Sequence, residues 1–258
     1  AMFADKSSDL PKLFQAWGVQ YDKAKVVLDG RYAAQVSMQA GRPPVRHLGI
    51  LTLTEEALND AEAITGVLTT VNASTIGAVS LIEGSELQLV PLLQSSSEAM
   101  LSDAEQMKFM PDPSVLFASF QPTGERYVLA GRLHGTFKTA FPDRSGDAHL
   151  TESKEPGNVV IVGDTDLLTD RLWVQVQNFL GQRLLNAFAN NGDLFINTVD
   201  AMSGSSALIG IRGQATSMRP FTTVQEIQRQ AEDRFRDTER QLQQELSDTE
   251  QRLNELQA

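Results

Sequence analysis

The sequence predicts an α/β fold, a layered sheet with flanking helices, followed by one long C-terminal helix. Three observations carry that prediction. Short β-forming runs alternate along the chain with stretches of helical spacing. An apolar run, VVIV at 159–162, stops at Gly163 and is followed by Asp164, Asp166 and Asp170, as when a buried strand ends at the edge of a sheet. From Phe221 onwards neither Gly nor Pro occurs, and Gln, Glu, Arg and Leu dominate. The expected division is therefore an α/β domain over 1–220 and a helical, coiled-coil-like tail over 221–258.

Each element has its own signal. SDLPKLFQAWG (8–18) reads as a short helix, with Ser8 or Asp9 to cap it, Pro11 in its first turn and Gly18 to end it. KVVLD (25–29) reads as a strand, and HLGILTLT (47–54) as another after the turn GRPP. EEALNDAEAITGVLTTV (55–71) has helical composition and spacing, with Thr54 as its cap. IGAVSLIEG and ELQLVPLLQSS read as two strands around a Gly84–Ser85 turn. SDAEQMKFM (102–110) suggests a short helix closed by PDPS, and GERYVLAGRLHGTF (124–137) is rich in β-formers. Over 142–158 periodicity vanishes, which predicts a long exposed loop or a disordered insertion. VVIV then reads as a strand of the buried type. Leu172, Val176, Phe179, Leu180, Leu184, Ala187 and Phe188 fall at helical spacing and predict a helix over 172–190. SSALIGIRG (205–213) reads as a late strand.

The tail would run roughly 55 Å if continuous. Leu242, Leu246, Thr249, Leu253 and Leu256 step by four and three, and Phe235 lies one heptad before Leu242. That is the narrow seam of a helix that pairs with another. Glu232 and Glu239 interrupt it on the N-terminal side. The predicted helix-pairing interface is thus Phe235, Leu242, Leu246, Leu253 and Leu256, with homo-oligomerisation as its simplest use.

Composition removes several functions. The net charge of the 258 residues is −11 and the pI about 4.8, so nucleic acid and anionic lipid would be repelled. No Cys is present, which excludes disulfides, thiolate nucleophiles and Cys-ligated metals. No apolar run approaches the ~20 residues that span a bilayer, and the opening residues lack the basic and apolar regions of a signal peptide. GxxxxGK[ST], GxGxxG after a strand and GxSxG are all missing. His47, His134 and His149 have no HxH or HExxH partner. No catalytic residue, cofactor or metal is therefore assigned.

Asp164, Asp166 and Asp170 remain as a candidate acidic loop. Carboxylates at the carboxyl end of a strand can ligate Mg²⁺ or Ca²⁺, or do acid–base work. The more economical reading is structural: Asp164 or Thr165 caps a following helix and Asp166 sits in its first turn, where the helix dipole favours a carboxylate. Arg212 and Arg219 either pair with this loop or are solvated.

Three blocks in this order carry a resemblance: VVIVGDTDLLTD, the Phe/Asn-rich helical stretch QNFLGQRLLNAFANNGDLFINTVDAMSG, and SSALIGIRGQATSMRPF. They resemble the GldG-type auxiliary subunit of ABC transporters, known from gliding-motility systems and widespread in bacteria. DLPKLFQAWGVQYDKAKVVLD, LVPLLQSSSEAM and the Gln/Glu/Arg-rich tail are similar to it too. The resemblance implies a glutamine-amidotransferase-like layer fold without that family's Cys chemistry. It implies an extracytoplasmic, periplasmic location, membrane helices in the full-length protein outside these residues, and the ABC permease and ATPase as partners. The leading expectation is a non-catalytic domain that binds a partner or substrate or couples it to the permease. The alternatives are a divalent-metal-dependent hydrolase using the acidic loop, and a structural scaffold that oligomerises through the tail.

Overall fold

The computed structural model describes residues 9–37, 44–107, 113–146, 149–179, 182–204 and 241–242. The chain divides into two units, Ala1–Ile211 and Arg212–Ala258. In the second unit, Gln241 and Leu242 are described; both are helical and exposed.

Pro11 fixes the first turn of helix α1 (Pro11–Trp17), and Gly18, at φ 65°, closes it by donating to the Gln15 carbonyl. The helix takes no side-chain cap: Leu10 occupies the cap position, and Asp9 instead meets Lys23 at 3.2 Å. Strand β1 (Val19–Tyr21) follows at once. Strand β2 (Lys25–Asp29) has both faces covered, Val27 lying in one core cluster and Val26 and Leu28 in another. That explains its unbroken apolar run.

Strands β3 (Ala33–Val36), β4 (Val45–Thr54) and β5 (Thr70–Ser74) form a three-stranded sheet in that order, with β5 at its edge. Strand β6 (Val79–Leu81) pairs with β1. Strand β7 (Gln88–Gln94) belongs to a second three-stranded sheet, in which β9 (Val128–Gly135) is central and β10 (Gly157–Val162) is the other edge. Strand β8 (Ala99–Asp103) pairs with β2, and helix α2 (Pro113–Ala118) covers that side with Leu116. The chain then passes through helix α3 (Asp170–Trp173), a hairpin of β11 (Val174–Phe179) and β12 (Gln182–Ala187), and helix α4 (Asn191–Met202). The largest core cluster unites Leu51, Leu53, Val71, Leu93, Leu129 and Leu194 from both three-stranded sheets and α4. Each such leucine contributes about 1.5–3 kcal/mol through burial.

Several expectations need correction. The fold is mixed α/β, but in place of the expected layered sheet there are several small antiparallel sheets; every pairing among the described residues is antiparallel. The helix expected over 172–190 is one turn of α3 and a hairpin. Its spacing fits a helix, but Val174-Gln175-Val176-Gln177 also alternates with period two, and β-branched valines favour the strand.

The helix expected over 55–71 shrinks to a 3-10 turn, Glu55–Ala57, and its last residues join β5. Asn59 prevents it, because the side chain bonds the Pro91 carbonyl and the Ala61 amide and holds a turn there. Ser102 and Asp103, expected in a helix, end β8, and among the described residues of that stretch Ala104–Met107 turn as 3-10. The strands on either side of Gly84–Ser85 pair with β1 and β9 rather than with each other. VVIV is half-buried, because β10 is an edge strand.

The polar stretch 142–158 is exposed over most of its described residues, yet it is fastened. Thr139 donates to Thr151, Ser153 donates to Phe137, and Phe137 returns a bond to the Ser153 hydroxyl. The strand expected over 205–213 lies outside the described residues, as do Arg212 and Arg219.

Candidate functional site

The acidic loop begins where the two three-stranded sheets meet. Beyond β10, Gly163 donates to Leu129 at 3.0 Å and accepts from Gly77 at 2.8 Å. Asp164 comes next, with both carboxyl oxygens engaged: Oδ1 accepts the Asp166 amide at 2.7 Å and Oδ2 accepts the Ser74 amide at 3.1 Å. The carboxylate thus fastens the loop to the end of β5. Burial holds the Asp164 carboxyl above the ordinary carboxylate range, against the pull of the Ser74 and Asp166 amides; the Asp166 charge adds to the rise and Arg171 opposes it. The Tyr21 phenol is raised as well, first by burial and then by Asp164.

Asp166 turns outward to Arg171, an exposed pair at 3.1 Å of little energetic weight. Asp170 stands in the first turn of α3, preceded by Thr169, whose side chain makes no capping bond. The three aspartates therefore have different surroundings. Among the described residues, no group of three or more His, Asp or Glu is placed to hold a metal ion.

The loop continues as an anchor. Leu167 is buried in the main core, and Trp173 donates to the Leu168 carbonyl. Two asparagines then fix α4 to the open edge of β5. The Asn190 carbonyl oxygen accepts from the Thr69 and Thr70 amides. Asn191 acts like an added strand residue: its oxygen accepts the Asn72 amide and its nitrogen donates to the Asn72 and Leu167 carbonyls. Asn197 reaches the Ile64 carbonyl. Asn191 thus uses its oxygen and both amide hydrogens, and a buried amide bonded in this way specifies one docking of the helix.

Replacing Asp164 with alanine should cost about 1–3 kcal/mol near neutral pH, because the Ser74 and Asp166 amides lose their acceptor. The raised carboxyl adds a pH signature. The folded chain keeps this proton where the unfolded chain has lost it, so the group's contribution is whole below the usual carboxylate value of ~3.9 and is lost as pH rises through the higher folded value. In urea titrations across that window, wild type should lose stability relative to Asp164→Asn as pH rises. A constant difference would show that the carboxyl is not held protonated.

Sequence reasoning missed two further residues. Thr75 has φ 56°, a left-handed conformation that a β-branched residue rarely adopts. Its amide donates to Gly49 and its hydroxyl to the Ser74 carbonyl, which holds it there. Thr75→Gly should therefore stabilise the protein, by about 1 kcal/mol after the extra unfolded-state entropy of glycine is subtracted. Thermal melts would check this. The second is Asp29, the end of β2, which has no exposure at all. Its carboxylate accepts the Arg31, Tyr32 and Ser96 amides and the Ser96 hydroxyl. Burial is nevertheless the largest influence and raises its carboxyl. The pattern KVVLDG, an apolar run ending in Asp and Gly, was its signal in the sequence.

His47, expected at a strand end, lies inside β4, fully buried; its Nδ1 accepts the Gly49 amide, and burial lowers its pKa. His134 meets the Asn158 amide oxygen across β9 and β10.

The family model described as "ABC-type uncharacterized transport system", for auxiliary components, matches residues 1–198. The chain belongs to that family. Neither a curated protein nor a solved structure matches it. The match to the ABC transport auxiliary family takes in Asp29, the acidic loop and the Asn190–Asn191 anchor, and it ends inside α4. Residues 221–258 lie beyond it. Of the predicted pairing seam, Phe235, Leu246, Leu253 and Leu256 lie outside the described residues, while Leu242 is helical and 60% exposed. Among the described residues no helix is long and apolar enough to cross a membrane.

Proposed function

We propose that this member of the ABC transport auxiliary family is a non-catalytic, GldG-type extracytoplasmic domain that binds a partner or substrate, or couples it to the permease. The carrying observation is the family match over 1–198. The acidic loop supports it: Asp164 spends both oxygens on backbone amides, and Asp166 is turned to Arg171. In this reading the domain sits on the periplasmic face of the inner membrane, anchored by other parts of the full-length protein, and the permease and ATPase are its partners.

Copurification from membranes, with the bound proteins identified, tests the reading. A permease and an ATPase of one system should come with it in fixed ratio; recovery of the domain without either would overturn it. Stoichiometric Mg²⁺ or Ca²⁺ binding that Asp166→Ala abolishes would instead favour the metal-dependent hydrolase. The scaffold alternative predicts an oligomer that deletion of the residues after Arg229 converts to monomer.

A further inference from the structure

Helix α4 buries two asparagines beside one leucine and turns four large apolar side chains outward. Asn191, Leu194 and Asn197 are buried, and both amides are bonded to the body of the protein. Phe195, Ile196, Val199 and Met202 are 54, 44, 50 and 39% exposed. Their spacing of one, three and three residues places them on one face over two turns. Gly192 begins the same face, and there the Trp173 ring takes the space a Cβ would need, 2.6 Å away, so an aromatic surface continues the stripe. An ordinary surface helix shows solvent the opposite face. A contiguous exposed apolar stripe marks a contact surface.

We propose that this stripe docks an amphipathic helix of another protein of the transport system, one whose apolar face is flanked by Lys or Arg. The inference deepens the partner-binding reading above and rests on it. Charge selects the occupant. Helix α4 carries Asp193, which accepts from the Asn190 amide group, and Asp200, and no basic residue; α3, which packs beside it, opens with the exposed Asp170, and its one cation, Arg171, is paired with Asp166. The whole chain carries −11. A second copy would set α4 against α4 and acid against acid, and an anionic lipid surface would be repelled. A helix suits the shape, since side chains three and four residues apart form ridges that interdigitate with those of a second helix. Lys and Arg stems would cover the rim of the stripe while their charges meet the acids.

The chain has no Cys, so Ile196→Cys places a single reporter thiol on the stripe of the full chain. It should react with a maleimide almost as fast as a free peptide thiol. Labelling slowed by about a hundredfold would show the stripe already covered by the chain itself and would overturn the proposal. The binding probe is a synthetic helix of about 18 residues, with Leu at helical spacing and Lys on both flanks; its Glu-flanked counterpart is the control. The Lys form should bind one to one, and the Glu form should not. Phe195→Ser with Val199→Ser, which leaves the charge unchanged, should weaken binding by about tenfold or more. Val199→Gln alone should weaken it in the same direction and serves if the double variant does not fold. Equal binding by these variants would mean attraction by charge alone and would overturn the proposal. So would a dimer, or adsorption to phosphatidylglycerol vesicles, that the same substitutions abolish. If the Lys-flanked helix fails to bind while the permease and ATPase still copurify, docking on α4 is wrong and the partner-binding reading stands; if they fail to copurify as well, both fall.

Discussion

Asp29→Ala should destabilise the protein by on the order of 4 kcal/mol, enough to leave a marginal domain largely unfolded. The residue is fully buried and serves as acceptor for three backbone amides and one hydroxyl. Alanine would leave the amides of Arg31, Tyr32 and Ser96 without partners. Each buried unsatisfied donor costs about 1–3 kcal/mol, and relief of the buried charge returns part of the sum. The damage would not stay local. Ser96 follows β7, and its neighbour Ser95 exchanges bonds with Tyr127 before β9 begins, so the link joins β2 to the second three-stranded sheet. Denaturant unfolding gives the number. A loss below about 1 kcal/mol would mean that water or a shifted backbone replaces the carboxylate.

Gly163→Ala should be nearly as harmful, at about 3 kcal/mol. An ideal Cβ at Gly163 would lie 2.5 Å from the Gly77 carbonyl oxygen and 3.0 Å from its carbon, and both are backbone atoms. No rotamer change relieves such a contact. The strand end must move, and the bond from Gly77 to Gly163 is stretched or broken with it. Because Asp164 follows directly, its bond to Ser74 should weaken too. Gly84→Ala is the useful contrast: nothing lies within 4 Å of its Cβ position, and only its φ of 79° opposes the change. Equal melting of the Gly163 and Gly84 variants would show that the close approach of the two backbones is not what the glycine supplies.

Where a signal was local, the sequence was enough. Pro11 and Gly18 bound α1 because one fixes φ and the other tolerates a positive value, and neither effect depends on the rest of the fold. KVVLD and HLGILTLT could be read as strands, since β-branched runs of that length have few other uses. Glu55 to Val71 and Leu172 to Asn190 could not be read that way. Their apolar residues fit a helix as well as a strand, and the choice was made by groups distant in the chain. Asn59 is held by Pro91, and Phe188 by Trp173 at the base of the hairpin.

The candidate site divides along the same line. That Asp164 would follow a strand and a glycine was visible in VVIVGD, as was the Phe/Asn-rich character of the stretch that contains α4. The sequence could not show that Ser74, ninety residues earlier, supplies an amide to Asp164, or that Asn191 completes the edge of β5. Nor could it show which of two similar patterns, KVVLDG and VVIVGD, holds the fully buried carboxylate. Propensity and capping act over three or four residues and are written in the chain itself. Strand pairing, burial of charge and the direction in which a helix faces depend on contacts about a hundred residues apart along the chain, and only the folded structure brings those together.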